Sequence, residues 1–289
     1  MKPILALIYG ASFWGFIWYP TRFLESMGLP GIWQLLTSYV SAMIVLLILE
    51  GFKLTRISQK PGHAILLIFA AGWTNVAFVL AVLNYEVARV LILFYLSPLW
   101  AIILGRWLLG ERITFLTGVM LLLGLSGAAL MLWDDGNFSG PLRQGDLLAL
   151  SAGFCFALTN VLTRYLDNLS ITLKTQLAWL GGIIVSLAFI TFLNEPFPKV
   201  EIEIWIGSIL LGVFGYFLAT IVVVYAISRM PIQRSSIILL FELFVGAISA
   251  WLLAGEVMEF KDWLGGCIIV CSGMIAIFHG KKVQEKLYG

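Results

Sequence analysis

Ten stretches of about 20 mainly apolar residues, separated by short charged connections, constrain this chain more than any other feature. A hydrocarbon core about 30 Å thick is crossed by roughly that length of helix. The stretches are Pro3–Leu24, Gly31–Phe52, Gly62–Asn84, Ala88–Leu109, Thr114–Trp133, Asp146–Leu166, Leu173–Leu193, Ile204–Ile227, Ser235–Ala254 and Trp263–His279. Composition agrees: 61% of the 289 residues are hydrophobic and 12% are charged, about half the charged share usual in a soluble chain. Apolar surface in this excess needs lipid as its solvent. The expected fold class is therefore all-α integral membrane, with no soluble domain between spans. The apolar run after Met1-Lys2-Pro3 continues past the length of a signal-peptide core, and no clear small-residue cleavage site follows it, so it reads as a retained first span.

Positive charge sets the expected orientation. With the N-terminus inside, 13 Lys and Arg fall on the cytoplasmic side and 5 on the other. The densest basic loop holds Lys53, Arg56 and Lys60, and the tail holds Lys281, Lys282 and Lys286. Both termini are thus expected in the cytoplasm of a cell with a bacterial-type inner membrane. A net charge of +2 offers no reason for a nucleic-acid partner.

The two halves repeat each other. Thr21-Arg22-Phe23-Leu24-Glu25 recurs as Thr163-Arg164-Tyr165-Leu166-Asp167, Trp107-Leu108-Leu109-Gly110-Glu111 as Leu252-Leu253-Ala254-Gly255-Glu256, and Leu125-Ser126-Gly127 as Cys271-Ser272-Gly273. Five spans per repeat is an odd number, so equivalent segments cross in opposite directions. The expected organisation is a first repeat over residues 1–133, a connecting loop over 134–145, a second repeat over 146–280 and a basic tail over 281–289. An inverted 5+5 repeat suits alternating access, because exchanging the conformations of its halves closes one face and opens the other around a midplane site.

Few residues inside the spans carry chemistry. Glu242 is the one carboxylate deep within a stretch. A charge there is costly in lipid, so it faces a cavity or a partner, or is protonated. It reads as a substrate-amine contact, a proton-binding group, or a carboxyl hydrogen-bonded between helices. Asn160 and Phe156 lie one turn apart in the sixth stretch, and their repeat counterparts Trp18 and Trp14 do so in the first. Asn75 and Phe78, Tyr95 and Ser97, and Tyr216 and Thr220 complete a candidate lining of aromatic walls and a few polar groups. Cys155, Cys267 and Cys271 form no CxxC pair and read as small apolar residues. The two histidines, His63 and His279, lie at span margins, and no HExxH, acidic metal motif or Ser-His pair is present, so neither an enzyme nor a cofactor is expected.

At Trp14-Gly15, Leu96-Ser97-Pro98, Leu109-Gly110-Glu111-Arg112, Tyr225-Ala226 and Gly255-Glu256 the sequence resembles the drug/metabolite transporter superfamily, and within it the ten-span EamA-type exporters. The resemblance implies a basket of helices whose cavity is lined by spans one, three, four, six, eight and nine. It implies export or exchange of small polar metabolites, above all amino acids, aromatic ones included, or related amphipathic compounds. A channel and a multidrug or nucleotide-sugar type carrier are the alternatives. The implied partners are a small-molecule substrate and the lipid bilayer, with a monomer as the expected state. One triplet departs from the family pattern: Phe241-Glu242-Leu243 stands where Leu-Glu-Pro is common. Pro98 remains as the expected hinge, so a proline kink is expected in the fourth span and not in its ninth-span counterpart.

Overall fold

Each stretch becomes a helix because lipid leaves the backbone no other partner than itself. The computed structural model describes residues 2–51, 60–85, 87–133, 144–255 and 257–288, without the side chains of 83, 84, 87, 88 and 279–288. Lys53, Arg56, most of the 134–145 loop, Glu256 and the side chains of the basic tail lie outside the described residues. Ten described helices are long and apolar enough to span a membrane: Lys2–Ser26, Gly31–Glu50, Pro61–Val82, Arg89–Leu108, Phe115–Leu132, Gln144–Tyr165, Ile171–Phe192, Ile202–Ile227, Ile232–Ala254 and Phe260–Phe278. No strand occurs among the described residues. The chain is an all-α, multi-pass membrane protein.

Local signals start these helices. Thr114 and Ser170 cap the fifth and seventh spans, accepting hydrogen bonds from Thr117 N at 3.1 Å and Leu173 N at 3.2 Å. Pro61 occupies the first turn of the third span, where a missing N–H costs nothing. Large apolar side chains such as Phe115, Ile48 and Leu122 point away from the protein, at 90%, 78% and 72% exposure, a surface suited to lipid and not to water.

The first span packs on the eighth and ninth, and the sixth on the third and fourth; the second packs on the seventh and eighth, the seventh also on the third, and the fifth on the tenth. Exchanging the two halves turns this set of pairs into itself. Polar contacts reinforce some of them: Thr37 and Ser38 of the second span bond to Ser208 of the eighth.

Four spans are interrupted near their middles. The first breaks at Ile17, between helices Lys2–Phe16 and Trp18–Ser26, where Pro20 cannot bond back to the preceding turn. The eighth widens into a π-helical turn over Leu211–Tyr216. The fourth divides into Val87–Phe94 and Ser97–Leu108, with Pro98 at the start of the second half. The ninth also divides, into Ile232–Leu239 and Phe241–Ala254. That corrects the expectation of a kink in one half alone. Without a proline, Leu240 N bonds to Ile237 O at 3.2 Å and Leu243 N to Leu240 O at 3.1 Å, the tighter i to i−3 pattern that ends one helix and begins the next. Two features of the sequence favour the break. Ser236 returns its hydroxyl to Ile232 O at 2.7 Å, a contact that bends helices. Glu242 then sits in the first turn of the new helix, where N–H groups are free and the helix dipole favours negative charge.

Candidate functional site

The breaks of the fourth and ninth spans meet beside the sixth span, and a small cavity lies between the three. Tyr95, Ser97 and Pro98 line it from the fourth span, Phe156 and Asn160 from the sixth, and Glu242 from the ninth. In this conformation there is room for little more than a water molecule.

The polar groups of the cavity have few protein partners. The Tyr95 hydroxyl stands against the Glu242 carboxyl in position to donate a hydrogen bond, so a side chain of the first half meets one of the second. Asn160 is 6% exposed, and its amide has no hydrogen-bond partner among the described residues. Ser97, 4% exposed, likewise spends its hydroxyl on no described group. Buried amides and hydroxyls are nearly always bonded. Groups left open beside a carboxyl are what a polar ligand needs.

Glu242 is brought there by close backbone packing. A Cβ at Gly15 would collide with the Glu242 carbonyl, so this glycine lets the first span lie directly against the ninth-span break.

The remaining candidates lie elsewhere. Phe78 meets Phe94 in a tilted pair at 4.7 Å between ring centroids, and Phe94 contacts both Tyr95 and Phe156 at 5.5 Å, which puts Phe78 behind the cavity wall. Asn75 returns its amide to Ala71 O of its own helix at 2.8 Å. Trp14 meets Tyr216 edge to face at 5.3 Å, and Tyr216 meets Tyr39 at the same distance. Thr220 accepts from Trp179 Nε1 at 3.4 Å in that aromatic cluster. Trp18 donates its indole N–H to Ser249 Oγ at 2.8 Å. The sixth-span pair Phe156 and Asn160 therefore reaches the cavity, whereas its counterpart Trp14 and Trp18 is engaged by neighbouring helices.

Sequence reasoning did not single out Phe94 or Ser236. Phe94 packs behind the lining rings of Tyr95 and Phe156, and Ser236 lines the cavity from the first half of the ninth span together with Leu239 and Leu240. Ser236 is one of two adjacent serines in an apolar run, a signal of the same kind that marked Ser97.

Comparison with known proteins agrees with this architecture. The sequence model of the EamA-like transporter family matches residues 1–133 and 143–278. An uncharacterized transporter of Archaeoglobus fulgidus is 25% identical over 218 residues, covering 75% of this chain and 77% of that protein. A riboflavin transporter of Brucella anthropi is 25% identical over 254 residues, covering 84% and 86%. A solved crystal structure superposes with a TM-score of 0.77 at 16% identity, over 97% of this chain and 99% of the other, a likeness of fold alone.

Proposed function

We propose, from the premise that this chain belongs to the EamA-like transporter family, that it is a secondary carrier of small polar metabolites working by alternating access between two inverted five-span repeats. The observation that carries this reading is the cavity itself. It lies at the junction of two broken spans, one from each half, with Tyr95 of one opposite Glu242 of the other. Discontinuous helices at a repeat interface are where carriers place their ligands. The packing pairs that survive exchange of the halves support the inverted repeat. The small size of the cavity supports a carrier over a channel, since a metabolite enters only if the helices part.

The donor and acceptor set fits a substrate bearing an amine and a second polar group. Glu242 receives the amine, while Asn160 and Ser97 offer hydrogen bonds to the rest. Amino acids and related amphipathic amines meet that description, and export to the outside of a bacterial-type inner membrane, with both termini cytoplasmic, is the direction the proposal adopts. The Tyr95 and Phe156 rings that line the cavity favour a second reading, a flat aromatic substrate, which the similarity to a riboflavin transporter also supports.

Purified protein in liposomes, preloaded in turn with single amino acids, aromatic amines and riboflavin, tests both by counterflow. Saturable exchange of an amine supports the first reading, and exchange of riboflavin alone supports the second. Single-protein conductance without counterflow would remove the carrier reading.

A further inference from the structure

The two faces of the protein are not equally closed, and the difference centres on Glu111. Ile232–Leu239, the half of the ninth span nearest the face where the first span begins, buries every residue but Arg234. It packs against Ser97–Leu108, the half of the fourth span that ends at the same face. Exchange of the repeats would pair Val87–Phe94 with Phe241–Ala254 at the opposite face. Those two half-helices hardly meet, and Phe241–Ala254 buries only Leu243 and Ser249. In the described conformation the fourth and ninth spans therefore pack closely at the first face and hardly meet at the second.

The close packing has a clasp. Gly110, at φ +67°, ends the fourth span in the left-handed conformation that suits glycine, and Glu111 N bonds back to Gly105 O at 3.3 Å. This turn throws the Glu111 side chain across to the start of the ninth span. There both carboxylate oxygens accept from Ile232 N, at 2.9 and 3.1 Å. A free N–H at a helix start is a strong partner for a carboxylate, by charge and by dipole. Gly105 leaves room for Ile232, whose side chain a Cβ there would strike. Gln233 extends the contact, donating to Arg112 O at 3.0 Å and accepting from Thr117 Oγ1 at 2.8 Å. Arg164 of the sixth span completes it, 3.7 Å from Glu111 and 2.9 Å from Ser228 O.

We infer that Glu111 is the latch that holds the ninth span shut at this face, and that alternation requires the Ile232 N–H to leave its carboxylate. The inference rests on the alternating-access reading. The latch belongs to the first half and what it grips belongs to the second, so opening this face separates them. The bond is available only when Ile232–Leu239 lies in its closed position, and the Glu111 carboxylate therefore biases the equilibrium toward closure.

The test replaces Cys155, Cys267 and Cys271 by alanine, places one cysteine at position 236, and compares its reaction with a membrane-impermeant methanethiosulfonate applied to each face of sided vesicles. Glu111→Ala is expected to speed the reaction from the clasped face about tenfold, the size of effect set by loss of a charge-assisted hydrogen bond. Glu111→Gln should speed it less, because an amide oxygen still accepts from Ile232. Gln233→Leu, which keeps the bulk and removes the outer bonds, should change it in the same direction. Equal rates at that face in all four proteins overturn the latch. If the parent cysteine still reacts from the opposite face, alternating access survives that result. A rate that rises equally from both faces, with a lowered melting temperature, also overturns the latch, because it marks Glu111 as a general support of the fold.

Discussion

Arg89 and Asp146 are joined by two parallel hydrogen bonds, Nε to Oδ1 and Nη2 to Oδ2, both 2.6 Å, with neither side chain more than 7% exposed. They tie the start of the fourth span to the start of the sixth, on the face opposite the Glu111 clasp. A bidentate guanidinium–carboxylate pair fixes relative orientation as well as distance. It therefore anchors the half-helix Val87–Phe94 to the sixth span.

Removing one partner of this pair strips a buried charge of both these bonds. Arg89→Gln or Asp146→Asn is expected to cost about 3–5 kcal/mol, whereas the double change Arg89→Met with Asp146→Leu should restore most of the loss. Thermal melting of detergent-solubilised protein measures this. A double variant less stable than both single ones would show that the charges contribute through something other than each other.

Asn160 and Asn75 give a paired prediction. Asn160→Ala should lower counterflow several-fold with little change in melting temperature, because its amide bonds to no described protein group. Asn75→Ala should leave transport nearly unchanged, since its amide already serves its own helix. Lost stability with unchanged transport per folded molecule would take Asn160 out of the site.

The Tyr95–Glu242 contact separates binding from support. Tyr95→Phe keeps the ring against Phe94 and removes only the hydroxyl facing Glu242. If that hydroxyl holds the carboxyl ready for an amine, the variant should raise the half-saturating concentration of amine substrates and spare neutral ones. Glu242→Gln should do the same more severely. Equal loss for amine and neutral substrates in counterflow would assign both residues to packing.

Orientation is tested by labelling. Met27 is 51% exposed between the first and second spans, and Asp167 is exposed between the sixth and seventh. In the cysteine-free background, a cysteine at position 27 should react with an impermeant maleimide on intact cells, and one at position 167 only after permeabilisation. The reverse pattern would invert the topology.

The spans were legible for a physical reason. Lipid makes each helix satisfy its own backbone, so length and apolarity, both local properties, suffice to find it. The caps at Thr114 and Ser170 and the first-turn Pro61 are local in the same sense, each acting within one turn of its own position, although the sequence reading did not single them out. The ninth-span break was not, because the expected proline is absent and serine back-bonding with a first-turn carboxylate produces the same interruption. The site was legible in part. Tyr95, Ser97, Phe156, Asn160 and Glu242 do meet, but Trp18 and Thr220, equally plausible as polar handles in apolar helices, find partners on neighbouring spans.

The sequence by itself determined that this chain crosses a membrane ten times, and it carried the repeats from which two opposed halves were inferred, because hydropathy and repetition are written residue by residue. Tertiary structure alone decided which polar groups stay open to a cavity, and that Glu111 reaches Ile232 across 121 positions of chain. A side chain's partner depends on what another helix presents at the same depth. No local pattern along one helix encodes that.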